Sequence, residues 1–228
     1  MKIADGVYML EVKGGFGAIY PTLLSAGDKL VLIDAGFPGM FPEISQTITE
    51  AGFKVEDLTD IILTHQDIDH IGCVKELLAA APSAQVWIFK DEAPYVDGTK
   101  TPIKLAAMLE QYDQLPDDRK AWCDQLKEGF EGRQISGMKT VSDNQVLPFC
   151  GGVEVVHTPG HTPGHMCLFL QGSGVMVCGD AANITEGGLV GSNPQHTWDT
   201  DLAQKSLERI LGYKPSAVVC YHTGYQEM

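Results

Sequence analysis

The sequence predicts an α/β protein, and three observations lead there. Short apolar runs suited to buried strands recur along the chain, segments with helical spacing lie between several of them, and 25 glycines with 12 prolines divide the 228 residues into many short elements. With 44% apolar residues the chain can fill a substantial core, so a single domain over residues 1–228 is the simplest expectation.

The opening reads as a meander. Val7–Val12 and Ile19–Leu24 suit strands joined by the turn Gly14-Gly15-Phe16-Gly17, and after a second turn at Ala26-Gly27-Asp28-Lys29 the run Leu30–Ile33 suits a buried strand ending in Asp34-Ala35-Gly36. Phe41, Ile44, Ile48 and Ala51 then recur at helical spacing, with Gly52 placed to close the helix. Ile61–Leu63 predicts a short strand, Ile71–Ala81 a helix halted by Pro82, and Val86–Phe89 the next strand. Residues 90–130 carry more charge and weaker apolar patterning. Helices are predicted around Ile103–Asp113 and Asp117–Lys127, read as an insertion or cap on the single domain. Val153–Val156 resumes the strands, Met166–Leu170 and Gly174–Cys178 form a hairpin, and Glu186–Gly191 reads as a glycine-rich loop. A helix over Thr197–Leu211, capped by Asp199 or Thr200, leads to a last strand at Ala217–Cys220.

Charge and cysteine usage exclude several functions. Sixteen Lys and Arg against 30 Asp and Glu, a formal −14, argue against a nucleic-acid surface. The start, Met1–Val12, lacks the long apolar segment of a signal peptide, and no apolar run reaches membrane-spanning length, so a cytoplasmic protein with no membrane partner is expected. The 6 cysteines form no CxxC pair, and Cys167, Cys178 and Cys220 sit in apolar runs as reduced core residues.

The chemistry centres on Thr64-His65-Gln66-Asp67-Ile68-Asp69-His70-Ile71-Gly72, where His65, Asp67, Asp69 and His70 crowd a short loop after an apolar strand. Three further strand ends carry ligand-type side chains: His161 between Gly160 and Gly164, Asp180 after Gly179, and His222 after Cys220-Tyr221. One metal takes about four ligands, so seven candidates imply two ions sharing a carboxylate. Asp34 reads as an acceptor that orients a ligand histidine. His157 and His165 read as supports behind the ligands or as structural histidines. His196, in a polar loop, and Tyr221 are candidates for the substrate pocket.

Together these residues resemble the metallo-β-lactamase fold superfamily, over nearly the whole chain. The resemblance rests on Asp34-Ala35-Gly36, the HxDxDH loop, the glycine-flanked His161, Gly179-Asp180 and His222. It implies a four-layer αββα sandwich with a dinuclear site at one end of its sheets. His65, Asp67 and His161 would hold the first metal, Asp69, His70 and His222 the second, and Asp180 would bridge them. The usual loop of the superfamily is HxHxDH, and this chain has Asp67 at the middle histidine. Two divalent ions are then balanced by three carboxylates and a hydroxide, whereas a histidine at 67 would leave one net positive charge. The set His65/Asp67/His161 becomes two histidines and one carboxylate, which suits iron or manganese as well as zinc, with zinc placed first.

The resemblance implies an enzyme, a hydrolase in which a metal-bridging hydroxide attacks an ester, lactone or thioester carbonyl, with Asp69 and Asp180 as catalytic carboxylates. A glyoxalase-II-like thioesterase is a narrower form of this reading. A nonheme diiron redox protein acting on oxygen or nitric oxide is the alternative from another class. The expected partner is a small-molecule substrate, with a homodimer left open.

Overall fold

The computed structural model describes residues 1–15 and 17–228; Phe16, in the first predicted turn, lies outside the described residues. Among the described residues two large sheets face each other. The first contains, in spatial order, β1 (Lys2–Ala4), β2 (Val7–Met9), β5 (Thr22–Ala26), β6 (Lys29–Ile33), β7 (Asp60–Leu63), β8 (Gln85–Phe89) and β9 (Lys139–Val141). The second contains β10 (Val146–Leu147), β11 (Val153–His157), β12 (Met166–Leu170), β13 (Val175–Gly179), β16 (Ala217–Cys220) and β17 (Gly224–Glu227). Two small hairpins, β3 (Val12–Gly14) with β4 (Gly17–Ile19) and β14 (Ala182–Thr185) with β15 (Gly188–Gly191), stand apart from them.

Three apolar clusters make this a four-layer αββα sandwich. Between the sheets, Leu24, Val31, Ile33 and Ile62 of the first pack with Val153, Val155, Leu168, Val177 and Val219 of the second. On the outer face of the first sheet, Leu32, Ile61 and Ile88 meet Ile44 and Ile48 of α1 (Phe41–Glu50) and Val74 and Leu77 of α3 (Val74–Ala80). On the outer face of the second, Val156, Met176 and Val218 meet Leu207 and Ile210 of α7 (Thr200–Gly212). The central strands are buried on both faces and accordingly read as continuous Leu, Ile and Val runs.

Strand direction places the site. β6, β7 and β8 are mutually parallel, as are β13 and β16, and β11 is antiparallel to β12, which is antiparallel to β13. The C-terminal ends of β6, β7 and β8 therefore share one edge of the first sheet, and those of β11, β13 and β16 share one edge of the second. The backbone bonds Met166 N–H to Thr64 O (3.1 Å) and Tyr20 N–H to Tyr221 O (2.8 Å) tie the two sheets together at this end.

Several local expectations are revised. The predicted first strands each split, Val7–Val12 into β2 and the start of β3, and Ile19–Leu24 into the end of β4 and β5. The helix predicted over Ile71–Ala81 is α3, starting three residues later, and Ile71 instead ends a separate turn, α2 (Ile68–Ile71), because the amides of Gly72 and Cys73 donate to Gly36 O (2.8 Å) and Ala35 O (3.1 Å) instead of continuing a helix. The glycine-rich loop 186–191 is the turn and second strand of the β14–β15 hairpin. Between β8 and β9 lie α4 (Ala93–Val96), α5 (Ile103–Glu110) and α6 (Asp117–Phe130), so α5 ends earlier and α6 later than predicted. Asp199 caps α7 by accepting from the Leu202 amide at 2.9 Å. Among the described residues no helix is long and apolar enough to cross a membrane.

Gly72 is tightly enclosed at the site end. A Cβ there would fall 2.3 Å from Pro38 N and 2.5 Å from Gly36 O, both backbone atoms that cannot swing away. Gly72→Ala is expected to cost about 2–3 kcal/mol through this overpacking, read as a lower urea midpoint with an unchanged slope.

Candidate metal centre

The strand ends deliver their side chains to one place. Thr64 and His65 follow β7, and the chain then turns through Asp67 into the single turn α2, which carries Asp69 and His70. Asp67 stands at the N-cap of α2, a position where aspartate normally accepts from the helix amides, yet it makes no such bond and turns its carboxylate to the site. His161 lies on the loop after β11, Asp180 follows β13, and His222 follows β16.

Two groups of potential ligands result: His65, Asp67 and His161 in one, and Asp69, His70, Asp180 and His222 in the other, with the ligand atoms of each group within 4.8 Å of one another. In the first, Asp67 Oδ2 lies 3.3 Å from His65 Nε2 and 3.0 Å from His161 Nε2. In the second, His222 Nε2 lies 3.2 Å from Asp69 Oδ2 and 3.3 Å from Asp180 Oδ2, and His70 Nε2 lies 3.3 Å from Asp180 Oδ1. Asp180 Oδ2 is also 3.3 Å from His161 Nε2, so this carboxylate stands between the groups.

The other ring nitrogens are held from behind. His70 Nδ1 faces Asp34 Oδ2 at 2.9 Å, His65 Nδ1 faces Thr64 Oγ at 3.0 Å, and His161 Nδ1 faces Ser192 Oγ at 2.9 Å. Asp34, at φ +65°, also accepts from the Thr64 amide at 2.8 Å, so one carboxylate orients two neighbouring segments. His165 accepts from the Asp180 amide at Nε2 (3.1 Å) and pairs through Nδ1 with Thr158 Oγ (2.9 Å). The buried Glu92, just past β8, accepts from the Gln66 amide and side chain at 2.9 Å and from the Gly164 amide at 2.7 Å, joining the loops that carry His65 and His161.

Charges at the site are strongly interdependent. Burial favours the neutral Asp67 acid, but the Lys104 ammonium and then His65 outweigh it and hold the carboxyl well below its ordinary value. Asp180 behaves likewise, with burial opposed by His70 and His161. Burial, helped by His70, lowers His65 to about 4. Burial also lowers His222, yet hydrogen bonds to Asp180 and Asp69 raise it overall to about 10. Burial pushes Glu92 upward against the pull of Gln66.

The donor set fits metal ions. His65 Nε2, His70 Nε2 and Asp180 Oδ1 are buried side-chain atoms without a hydrogen-bond partner, all three belonging to the two ligand groups. Leaving such atoms unpaired costs about 1–3 kcal/mol each, and divalent cations would satisfy them together. Imidazoles with carboxylates suit zinc, iron or manganese.

The seven residues singled out as metal ligands are brought together, with Asp34 and His165 directly behind them. Among the described residues His157 makes no hydrogen bond or ion pair to any of the seven: its Nε2 pairs with Pro163 O at 2.9 Å and its ring stacks on Phe89. Tyr221 is buried, and its hydroxyl donates to Asp69 O (2.7 Å) and accepts from the Gly36 amide (3.1 Å), which makes it a brace for α2. His196 is exposed near the site, where its partial burial and then the charges of Lys104 and His161 lower its pKa. Sequence reasoning missed Glu92, Ser192 and Lys104. Glu92 had a usable signal, since it too follows an apolar strand; Ser192 and Lys104 had none.

Residues 14–222 match the model of the metallo-β-lactamase superfamily, and the chain belongs to that superfamily. It is 31% identical to the probable metallo-hydrolase YflN of Bacillus subtilis, across 97% of this chain and 85% of that protein. It is 29% identical to an atrochrysone carboxyl ACP thioesterase of Aspergillus fumigatus, across 96% of this chain but only 44% of that longer protein. Among solved structures, the metallo-β-lactamase family protein TTHA1429 from Thermus thermophilus superposes with a TM-score of 0.79 at 21% identity, covering 99% of this chain and 76% of that one.

Glu92→Leu removes the acceptor shared by Gln66 and Gly164 and strands their buried amides. It is expected to cost about 3 kcal/mol or more, read by urea unfolding, with Glu92→Gln retaining part of the loss because it keeps one acceptor oxygen.

Proposed function

We propose that residues 1–228 act as one dinuclear metal-dependent hydrolase of carboxylic ester, lactone or thioester bonds, with the helices of residues 90–130 as its cap. The observation that carries this reading is the pair of ligand groups at a single sandwich edge, joined through Asp180 and containing the three buried, unpartnered donor atoms. His65, Asp67 and His161 would hold one ion, Asp69, His70 and His222 the other, and Asp180 both, with zinc as the first expectation. When bound, such ions supply Lewis acidity that makes water nucleophilic near neutral pH and polarises a carbonyl.

The chain's own groups do the rest. Asp69, whose Oδ2 lies 3.2 Å from His222 Nε2, orients the attacking water. Asp34, Thr64, Ser192 and His165 hold the imidazoles and Asp180 in place, so little reorganisation accompanies the reaction. A cleft of about 550 Å³ lined by Asn183, Val190, Ser192, Asn193, Pro194 and Gln204 lies beside the His161 loop and would take the part of the substrate remote from the scissile bond. Support also comes from the relatives whose names give them as a probable metallo-hydrolase and as an ACP thioesterase.

The test is elemental analysis for zinc, iron and manganese alongside a panel of esters, lactones and thioesters. Two zincs per chain with turnover of one of these classes is the expected result. Two redox-active irons with oxygen consumption and no hydrolysis would overturn it in favour of the diiron reading. Removal of metal by a chelator should abolish turnover and lower Tm, both restored by zinc. Asp69→Asn should lower kcat by about 100-fold or more and lower the zinc content of the second site.

A further inference from the structure

Lys104 reaches the centre of the first ligand group from an element otherwise separate from it. It sits in the first turn of α5, where a helix dipole disfavours a cation, and its side chain is only 30% exposed. The ammonium is paired with Asp67 Oδ2 and stands 2.9 Å from His161 Nε2. The latter atom also lies 3.0 Å from Asp67 Oδ2, and the Nδ1 of the same ring is engaged by Ser192. The two atoms that Lys104 meets belong to the group that could hold a cation with His65.

The placement is built in from the backbone. The amide of Ile103, one residue before Lys104, donates to Gln66 Oε1 at 2.8 Å, and Gln66 is the residue before Asp67. Gln66 is in turn fixed by its two bonds to Glu92. Residues 103–104 and 66–67 are therefore set side by side, with a hydrogen bond in one pair and an ion pair in the other. A chain with 30 acidic and 16 basic residues directs one of its few cations to this point.

We propose that Asp67 and Lys104 act as one unit, in which Lys104 is a positioning residue that cancels the charge of Asp67 and so sets how tightly the His65/Asp67/His161 group holds a divalent ion. A metal that takes Asp67 must share it with an ammonium, so this carboxylate is a weaker donor than a bare one. The inference rests on the metal-binding part of the proposed function and not on the bond hydrolysed.

The experiment measures zinc affinity of the full chain by competition with a chromophoric chelator, in the wild type, Lys104→Met, Asp67→His and the double variant. Lys104→Met should tighten one of the two binding steps by about tenfold or more and move the other by less than about threefold. In the Asp67→His background the same substitution should change affinity by less than about threefold, because the carboxylate that Lys104 cancels is gone. Lys104→Arg should keep wild-type affinity within about threefold, a rescue that a purely packing role of the side chain would not require. Equal effects of Lys104→Met in both backgrounds, or none in the wild type, would overturn the proposal. Thermal melting of the chelated proteins reports folding, and Lys104→Gln replaces the methionine variant if that one does not fold. Because no turnover is read, absence of ester, lactone or thioester hydrolysis would count against the hydrolase and leave this coupling to be decided by the zinc isotherms.

Discussion

Three carboxylates and four imidazoles share the end of a sandwich whose interior between the sheets is apolar, and the rest of the structure answers to that crowding. Bringing charges out of water costs several kcal/mol per ion unless each is met by a partner. Asp67, Asp69 and Asp180 are each met by imidazoles, and Asp67 also by an ammonium. Mutual approach does not complete the arrangement, because His65, His70 and Asp180 keep unpaired inward atoms. A site of this kind stays organised only if the framework behind it is stiff.

That stiffness comes from strand ends and from two acidic residues outside the ligand groups. Parallel strands supply a common edge, and each ligand segment leaves that edge within a few residues, before the chain can wander. Asp34 then links the end of β6 to Thr64 and His70, while Glu92 links the end of β8 to Gln66 and Gly164. Both are buried carboxylates that accept several donors, so each removes the freedom of two loops at once. Tyr221 adds a third tie, bracing α2 against the end of β16.

How far all this was legible in the sequence follows from the range of the signals. Apolar runs report burial, and they located β6, β7, β8, β11, β12, β13 and β16 because these strands are covered on both faces. The edge elements β1, β9, β10 and β17 are short or half-exposed and left no such mark. The break between α2 and α3 was invisible because its cause is a pair of hydrogen bonds to residues 35 and 36, far back in the chain. The side chains of the candidate site were singled out because two histidines and two aspartates within six residues are unusual, and three more ligand-type residues follow other apolar strands. The bonds of Tyr221 to Asp69 O and to the Gly36 amide were not legible, since a hydroxyl beside a histidine gives no hint of whether it faces solvent or backbone.

Lys104 shows why the remainder lay beyond sequence reading. A lysine in a moderately patterned helix is the most ordinary of residues, and nothing within ten positions of it suggests a metal site. Its significance arises 37 residues away in sequence, at Asp67, through a helix whose position is fixed by the Ile103–Gln66 bond. The division is physical. Imidazoles that must hold a fixed geometry sit on strand ends, which are rigid and recur as apolar signals. A charge that adjusts their strength sits on a surface helix, where it can change without disturbing either sheet, and where local pattern has least to say.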